Sequence, residues 1–326
     1  MGNFQRINKP EFRALLDKTL FKTFFHSMEW HEFLENEFEW LKFEYYSYKK
    51  DEALLVFGRV DERLISLPFC EYGGPLSLKS GFNWKGFEED VLSEFGKNIK
   101  IKVHPRISEI SGKTDVLSSL SSYWLYLRNK SEQEIWDSLR KTLRQEIKNA
   151  QEYGLEIRVL KDPKELKRFY DLYAANLRRK KTIPYPWHLV QFLCQNAPSE
   201  LLLAFYKGRI VGGALFLNYG HFVHYFLSAT DYKYRDLGVS YLIVWEKIKS
   251  LIGQDKILDL GASPRGSKLE IFKRGWGGKE ERPIYQIGTK RAEESFRSSK
   301  LIRFIWGLLP NFIIKKLSPY LIKYRL

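Results

Sequence analysis

Apolar positions recur along this chain at two periods, and the switches between them mark out elements. At 9–20 and 27–39 they fall three and four residues apart, which predicts two helices, with Ser27 placed to cap the second. Strand-like segments follow at 42–49, 53–60 and 63–70, and Tyr72-Gly73-Gly74-Pro75 reads as a loop. A helix at 84–96, an extended segment at 99–104 and a strand at 123–129 follow.

Ser131 and Glu134 form a capping-box pair that opens a predicted long helix. Ile135, Leu139, Leu143, Ile147 and Ala150 share one of its faces, Arg140, Lys141, Arg144 and Lys148 decorate it, and Gly154 ends it. Beyond it come a strand at 155–160, helices at 163–180 and 187–196, and a meander of strands at 201–206, 209–217 and 222–228. A helix at 237–252, a strand at 256–260, a short helix near 266–275 and a strand at 283–289 complete this half.

One hairpin pattern occurs twice. Leu54-Leu55-Val56-Phe57, a turn and Arg63-Leu64-Ile65 are echoed by Leu202-Leu203-Ala204-Phe205, a turn and Arg209-Ile210-Val211. An echo at about half the chain length predicts a duplicated domain. The length of 326 residues agrees, at about 150 residues per domain.

Composition narrows the classes. Two cysteines, Cys70 and Cys194, exclude a disulfide scaffold and a cysteine-rich zinc module. The net charge of +15 is concentrated: residues 128–181 and 300–326 each carry a net +6. Clustered positive charge points to an anionic partner such as phosphate, nucleic acid or lipid headgroups. The opening residues lack the apolar run of a secretory signal, and the uncharged stretch at 210–230 is interrupted by Gly, Asn and His, so a cytoplasmic protein is expected.

The six histidines offer no i, i+4 pair for zinc, and neither a Gly-x-Ser-x-Gly elbow nor a Walker loop is present. No metal and no tightly bound cofactor are expected. Two other segments could carry chemistry. Arg235-Asp236-Leu237-Gly238-Val239-Ser240 opens a helix and resembles the Arg/Gln-x-x-Gly-x-Gly/Ala loop with which GNAT acyltransferases grip coenzyme A, with Ser240 in place of the last Gly/Ala. Arg235, Gly238 and Ser240 are its candidate donor-binding residues. Further on, Leu258-Asp259-Leu260-Gly261 ends a strand, and Phe272-Lys273-Arg274-Gly275-Trp276-Gly277 follows. A lysine fixed between apolar walls can neutralise a developing oxyanion; on the surface the same lysine would only snorkel.

Taken together, the motifs resemble the FemAB-like family, the aminoacyltransferases of peptidoglycan bridge formation and related acyltransferases of cell-envelope and exopolysaccharide loci. The resemblance runs over about residues 20–290. It rests on His26-Ser27-Met28-Glu29-Trp30, on Arg140-x-x-x-Arg144-x-x-Ile147-Lys148-x-Ala150-x-x-x-Gly154, on Phe169-Tyr170-x-Leu172-Tyr173, on Pro184-x-Pro186, and on Asp259-Leu260-Gly261 with Phe272-Lys273. It implies an α/β (α+β) fold of two tandem GNAT-like domains, each a mixed central sheet flanked by helices, here at 1–130 and 131–299; residues 300–326 read separately, as a basic amphipathic tail. The resemblance implies acyl or aminoacyl transfer to an amine of a cell-envelope glycan, peptidoglycan precursor or exopolysaccharide-linked acceptor. The donor would be aminoacyl-tRNA or acyl-CoA. Lys273 would be catalytic, with Phe272 and Trp276 walling the site.

Asp259 would orient the acceptor amine or cap the turn, the cap being favoured. Arg144 and Lys148, four apart on one helix, would bind acceptor phosphate, with Arg178 and Arg179 next in line. An acyl-CoA-dependent N-acetyltransferase acting on a small amino-sugar or peptide, and a non-catalytic binding module of envelope assembly, are the alternatives. In the tail, apolar residues such as Ile302, Ile305, Trp306, Leu309, Ile313, Ile314, Leu317, Leu321 and Ile322 alternate with basic ones, and Pro310 and Pro319 divide it into short pieces. That composition suits an anionic membrane surface, here the inner face of the membrane, while packing on the first domain is the plainer alternative.

Overall fold

The computed structural model describes residues 2–110, 119–276, 281–288 and 300–326. The chain forms two compact units: Met1–Ser122 with Arg282–Glu293 and Leu326, and Tyr123–Glu281 with Glu294–Arg325.

The first unit contains β1 (Phe4–Ile7), α1 (Lys9–Leu16), α2 (Met28–Glu37), β2 (Leu41–Tyr48), β3 (Ala53–Val60), β4 (Arg63–Ile65), β5 (Leu76–Ser77), α3 (Trp84–Phe95), β6 (Ile99–Lys102) and α4 (Pro105–Ile110). Helices cover both faces of its sheet, because alternate residues of β2 point opposite ways. Phe12 of α1 meets Tyr45 at 4.6 Å between ring centroids, while Phe87 of α3 meets Tyr48 at 5.1 Å. Segment 63–70 pairs only to Ile65; Leu67 and Phe69 then take positive φ and leave the sheet.

The second unit begins within β7 (Leu120–Tyr126) and continues through α5 (Glu132–Ser138), α6 (Lys141–Glu152), β8 (Glu156–Val159), α7 (Pro163–Arg179), α8 (Trp187–Gln195), β9 (Ser199–Tyr206), β10 (Arg209–Tyr219), β11 (Phe222–Thr230), α9 (Val239–Leu251), β12 (Ile257–Asp259), β13 (Ser263–Pro264) and α10 (Lys268–Arg274). After β14 (Glu281–Pro283) and β15 (Gln286–Gly288), the tail supplies α11 (Lys300–Leu308) and α12 (Asn311–Leu321). The adjacent Gly212 and Gly213 of β10 show how closely helices press this sheet. A Cβ on the first would lie 2.7 Å from Val239 of α9, and one on the second 2.8 Å from Phe169 of α7. Since neighbouring strand residues face opposite ways, α9 and α7 cover opposite faces.

The predicted long helix is two. The Ser131–Glu134 capping box forms, but Leu139 and Arg140 are extended (ψ 148° and 145°) and separate α5 from α6. The Ser138 hydroxyl donates to the Ile135 carbonyl at 2.7 Å, a local bond that competes with continued helix. Leu139 and Leu143 stay buried across the break, so the apolar spacing holds although the helix does not.

The two sheets share a strand order. In the first, β1-β2-β3-β4 run antiparallel, β6 joins β4 in parallel, and β15 closes antiparallel to β6. In the second, β8-β9-β10-β11 run antiparallel, β12 joins β11 in parallel, and β7 closes antiparallel to β12. The duplication is therefore real, but the hairpin echo pairs unlike members: β3-β4 are third and fourth in their sheet, β9-β10 second and third in theirs. The sixth strand of each sheet is also displaced in sequence. β7 precedes the meander it completes, and β15 arrives only after the second unit's sheet is built.

Candidate active site

β11 and β12 pair for only three residues, Phe222–His224 with Ile257–Asp259. Beyond Asp259 the chain follows β7: the Leu260 amide donates to the Tyr123 carbonyl at 3.0 Å. β11 stays with β10 as far as Thr230, and there Phe226 is the extra residue of a bulge between the pairs Leu215–Leu227 and Phe216–Tyr225. A parallel pair that parts at its carboxyl end leaves a notch between strands, a usual place for a ligand in such sheets. Bulges cluster beside such sites because they re-aim a strand.

Asp259 is fully buried at this point, and its Oδ1 accepts the Gly261 amide at 2.8 Å, so it caps the turn. Gly261 has φ 76°. The turn then presents two carbonyls to one cation. The Lys273 Nζ donates to Gly261 O and Ala262 O, each at 2.8 Å. Lys273 is 3% exposed, which excludes the snorkelling surface lysine. Ser267 caps α10, accepting the Glu270 amide, and this sets the register that turns Lys273 inward.

Phe272 lies 5.3 Å from Tyr241 and 6.0 Å from Trp276, and Trp276 is fully buried. Gly277 lies outside the described residues. Sequence reasoning missed Tyr123 and Glu270, which support this wall. The Tyr123 hydroxyl donates to Glu270 Oε1 at 2.8 Å and the Gly266 amide donates to Oε2; the two bonds, the hydroxyl's foremost, hold the Glu270 carboxyl below the usual carboxylate range. Only the nonlocal return of β7 makes that pair, so no local motif announces it.

The Arg235–Ser240 segment forms a 3₁₀ turn, Tyr232–Leu237, with Gly238 left-handed (φ 72°) before the 13-residue α9. A left-handed glycine thus leads directly into the helix. The Ser240 hydroxyl lies 3.1 Å from that of Thr230, at the end of β11. Arg235 already has protein partners: it donates to the Tyr232 carbonyl, ion-pairs with Asp236 at 3.3 Å and stacks on the Tyr232 ring. A Cβ on Gly238 would stand 2.7 Å from the Glu146 carbonyl of α6. Gly238→Ala combines that clash with left-handed strain, and urea denaturation should show a stability loss of about 2 kcal/mol.

Arg144 and Lys148 share a face, as their spacing predicts, but that face meets α5. Arg144 ion-pairs with Asp137 at 3.6 Å, and the Lys148 ammonium lies 6.0 Å from the Trp136 ring. Each cation thus lies beside a side chain of its own unit, Arg144 half-buried and Lys148 exposed. Arg178 and Arg179, at the carboxyl end of α7, instead line a cavity of about 500 Å³ together with Lys181 and Tyr232.

Neither thiol is a ready nucleophile. Burial raises the Cys70 thiol far above its ordinary range and pushes Cys194 up to about 12. Among the described residues no group of three His, Cys, Asp or Glu side chains could hold a metal ion. Among them, too, no helix is long and apolar enough to cross a membrane.

Residues 137–274 match the acetyltransferase (GNAT) domain family. No curated protein matches the chain in sequence. Solved structures match its fold. FemX superposes with a TM-score of 0.59 at 12% identity, over 89% of this chain and 98% of its own. L-PGS from Bacillus licheniformis gives 0.52 at 13% identity, over 98% and 99%. A conserved protein of unknown function from Bacteroides thetaiotaomicron gives 0.52 at 10%, over 88% and 99%. The chain thus resembles the FemAB-like proteins in fold as well as in motifs.

Proposed function

We propose, on the premise of a GNAT-type domain in a chain folded like FemX, that the protein transfers an acyl or aminoacyl group directly to an amine. The acceptor in this reading is a cell-envelope glycan, a peptidoglycan precursor or an exopolysaccharide-linked amine. The observation that carries this reading is Lys273, buried and held by two carbonyls where β11 and β12 part. A cation fixed in a poorly hydrated site stabilises a nearby oxyanion strongly, because it has already been oriented.

The acceptor nitrogen attacks the acyl carbon, and the oxyanion of the tetrahedral intermediate forms beside the Lys273 ammonium. Its collapse breaks the bond to the donor, a thioester of acyl-CoA or a ribose ester of aminoacyl-tRNA. The departing thiol or hydroxyl takes up the proton that the amine gives to solvent. With both cysteines held protonated, an acyl-enzyme has no thiolate to form on, and one-step transfer is the simpler route. Phe272 and Trp276 keep water from competing for the donor. The helix start at Gly238 and Ser240 receives the donor's phosphate.

The direct test is a donor panel. The protein is incubated with acyl-CoAs or aminoacyl-tRNAs and an amine-bearing precursor, and the acceptor is weighed by mass spectrometry. A gain of one acyl or one aminoacyl mass is expected, and its size identifies the donor class. A folded protein that transfers from neither donor overturns the proposal in favour of a binding module.

A further inference from the structure

While Leu326 belongs to the first unit and accepts from the Lys100 ammonium at 2.8 Å, the helices of the tail pack on the second unit, along α7. Ile314, Ser318 and Ile322 are fully buried there. The Trp306 indole donates to the Thr182 carbonyl at 3.1 Å, and Lys315 pairs with Asp171 at 2.6 Å. Pro310 precedes the first turn of α12, as its missing N–H allows, but Pro319 lies inside that helix rather than breaking it. With one face so occupied, α11 and α12 leave an apolar ridge uncovered: Ile305 is 50% exposed, Leu308 and Phe312 68%, Tyr320 72%. Residues 300–326 carry six Lys or Arg and no acid.

The same helix walls the cavity at the end of α7. Phe304 and Leu308 of α11 line it together with Leu172, Arg178, Arg179 and Lys181. The cations are placed by the fold. Arg178 donates to the Leu309 carbonyl at 3.2 Å, the Arg179 guanidinium stacks 3.9 Å from the centre of the Tyr232 ring, and the Lys181 ammonium lies 5.7 Å from that of Phe304. Among the described residues Asp231 is the acid that lines the cavity; it receives the Lys233 amide and faces Arg168 at 3.9 Å. A cationic pocket with an apolar rim that continues into an exposed apolar ridge has the polarity of an anionic amphiphile, phosphate inward and hydrocarbon outward.

We propose that α11 and α12 dock the protein on an anionic phospholipid bilayer, and that the Arg178–Arg179–Lys181 cavity takes the phosphate of one lipid from that surface. Charge complementarity selects the occupant: a protein partner would cover the apolar ridge, but the acid-free tail and the cationic cavity beside it both face a phosphate-bearing surface. The surface is independent of acyl transfer, and its test needs no donor.

The full-length chain is sedimented with vesicles of phosphatidylglycerol and phosphatidylcholine, and with pure phosphatidylcholine vesicles. Binding to the mixed vesicles alone is expected, weakened by raising the salt from 0.1 to 0.5 M. Phe312→Ser with Tyr320→Ser, both on the exposed ridge and clear of the cavity, should weaken it at least tenfold. Arg178→Gln with Arg179→Gln should weaken it several-fold, and soluble glycerol phosphate should compete poorly, because it lacks the hydrocarbon. Equal binding to both vesicle types, no binding to either, or full binding by the ridge variant overturns the proposal. Glycerol phosphate or inorganic phosphate competing as well as vesicles would mark the cavity as a site for a soluble phosphate and equally overturns it. Transfer to a soluble acceptor by the ridge variant without vesicles, measured alongside, keeps a failure here separate from a failure of the acyl-transfer reading.

Discussion

Lys273→Met should lower kcat by roughly 10²–10³ while raising KM little, since loss of one oxyanion contact typically costs that much. Methionine keeps the length and apolar character of the lysine stem, so packing against Phe272 and the α10 turn is largely retained. What it loses is the charge and the two bonds to Gly261 O and Ala262 O. Those carbonyls then need other donors, so some loss of stability accompanies the change. Circular dichroism and a urea midpoint separate that loss from catalysis: the variant should stay folded at the assay temperature with turnover nearly gone. A folded Met variant with wild-type kcat would reduce Lys273 to a structural clamp on the 261–262 turn.

The second large effect is acid sensitivity of the first unit. His26 and His31 are both buried. His26 Nδ1 accepts the Thr23 amide at 3.1 Å; His31 Nε2 donates to the Phe25 carbonyl at 3.0 Å, and its Nδ1 accepts from the Tyr45 hydroxyl. Burial, the foremost cause in each, lowers both imidazoles to about 3 from an ordinary 6.5. The unfolded chain therefore binds protons between pH 6.5 and 3 that the folded chain refuses. The stability these groups contribute is complete above pH 6.5 and is lost as the pH falls toward 3. At pH 5 the loss is about 2 kcal/mol per imidazole, about 4 for the pair. Carboxylates held below their ordinary range, such as Glu44 beside Arg59, act mainly below about pH 4.5, so they contribute little between pH 7.5 and 5.0. Urea midpoints at pH 7.5 and 5.0 check the expectation, and His31→Gln should remove about half the difference. A midpoint unchanged over that range would show that the imidazoles protonate without unfolding.

What the sequence made legible was local. The capping box at Ser131 and Glu134, the Ser27 cap, and the meander at 201–228 all depend on neighbours within a few residues, and they form. The turn-capping role of Asp259 was readable for the same reason: its acceptor and the Gly261 amide are two residues apart. What failed was nonlocal. The apolar face of 135–150 said nothing of the break at Leu139–Arg140, because both segments bury the same face. The hairpin echo matched strands of like composition but unlike place, since strand order is fixed by pairing across the sheet and not by sequence along it.

Functional side chains divide in the same way. Phe272-Lys273 could be singled out by motif, but its burial depends on a turn eleven and twelve residues away folding back over it. Arg144 and Lys148 had the right spacing, and only tertiary structure shows Asp137 and Trp136 already facing them. Arg178 and Arg179 stand in the sequence only as the next basic pair for a phosphate, on a segment with no visible partner. It becomes a cavity wall because a helix more than a hundred residues later lies across it.

The claim on which the rest depends is that the second unit passes an acyl group in one step to an amine at Lys273. Rapid-quench mass spectrometry of a single turnover with isotopically labelled donor observes it most directly. The account predicts label moving from donor to acceptor amine with no mass gain on the protein at any time, and no movement in the Lys273→Met variant. Stoichiometric acylation of the protein before product appears, or undiminished transfer by the variant, would contradict it.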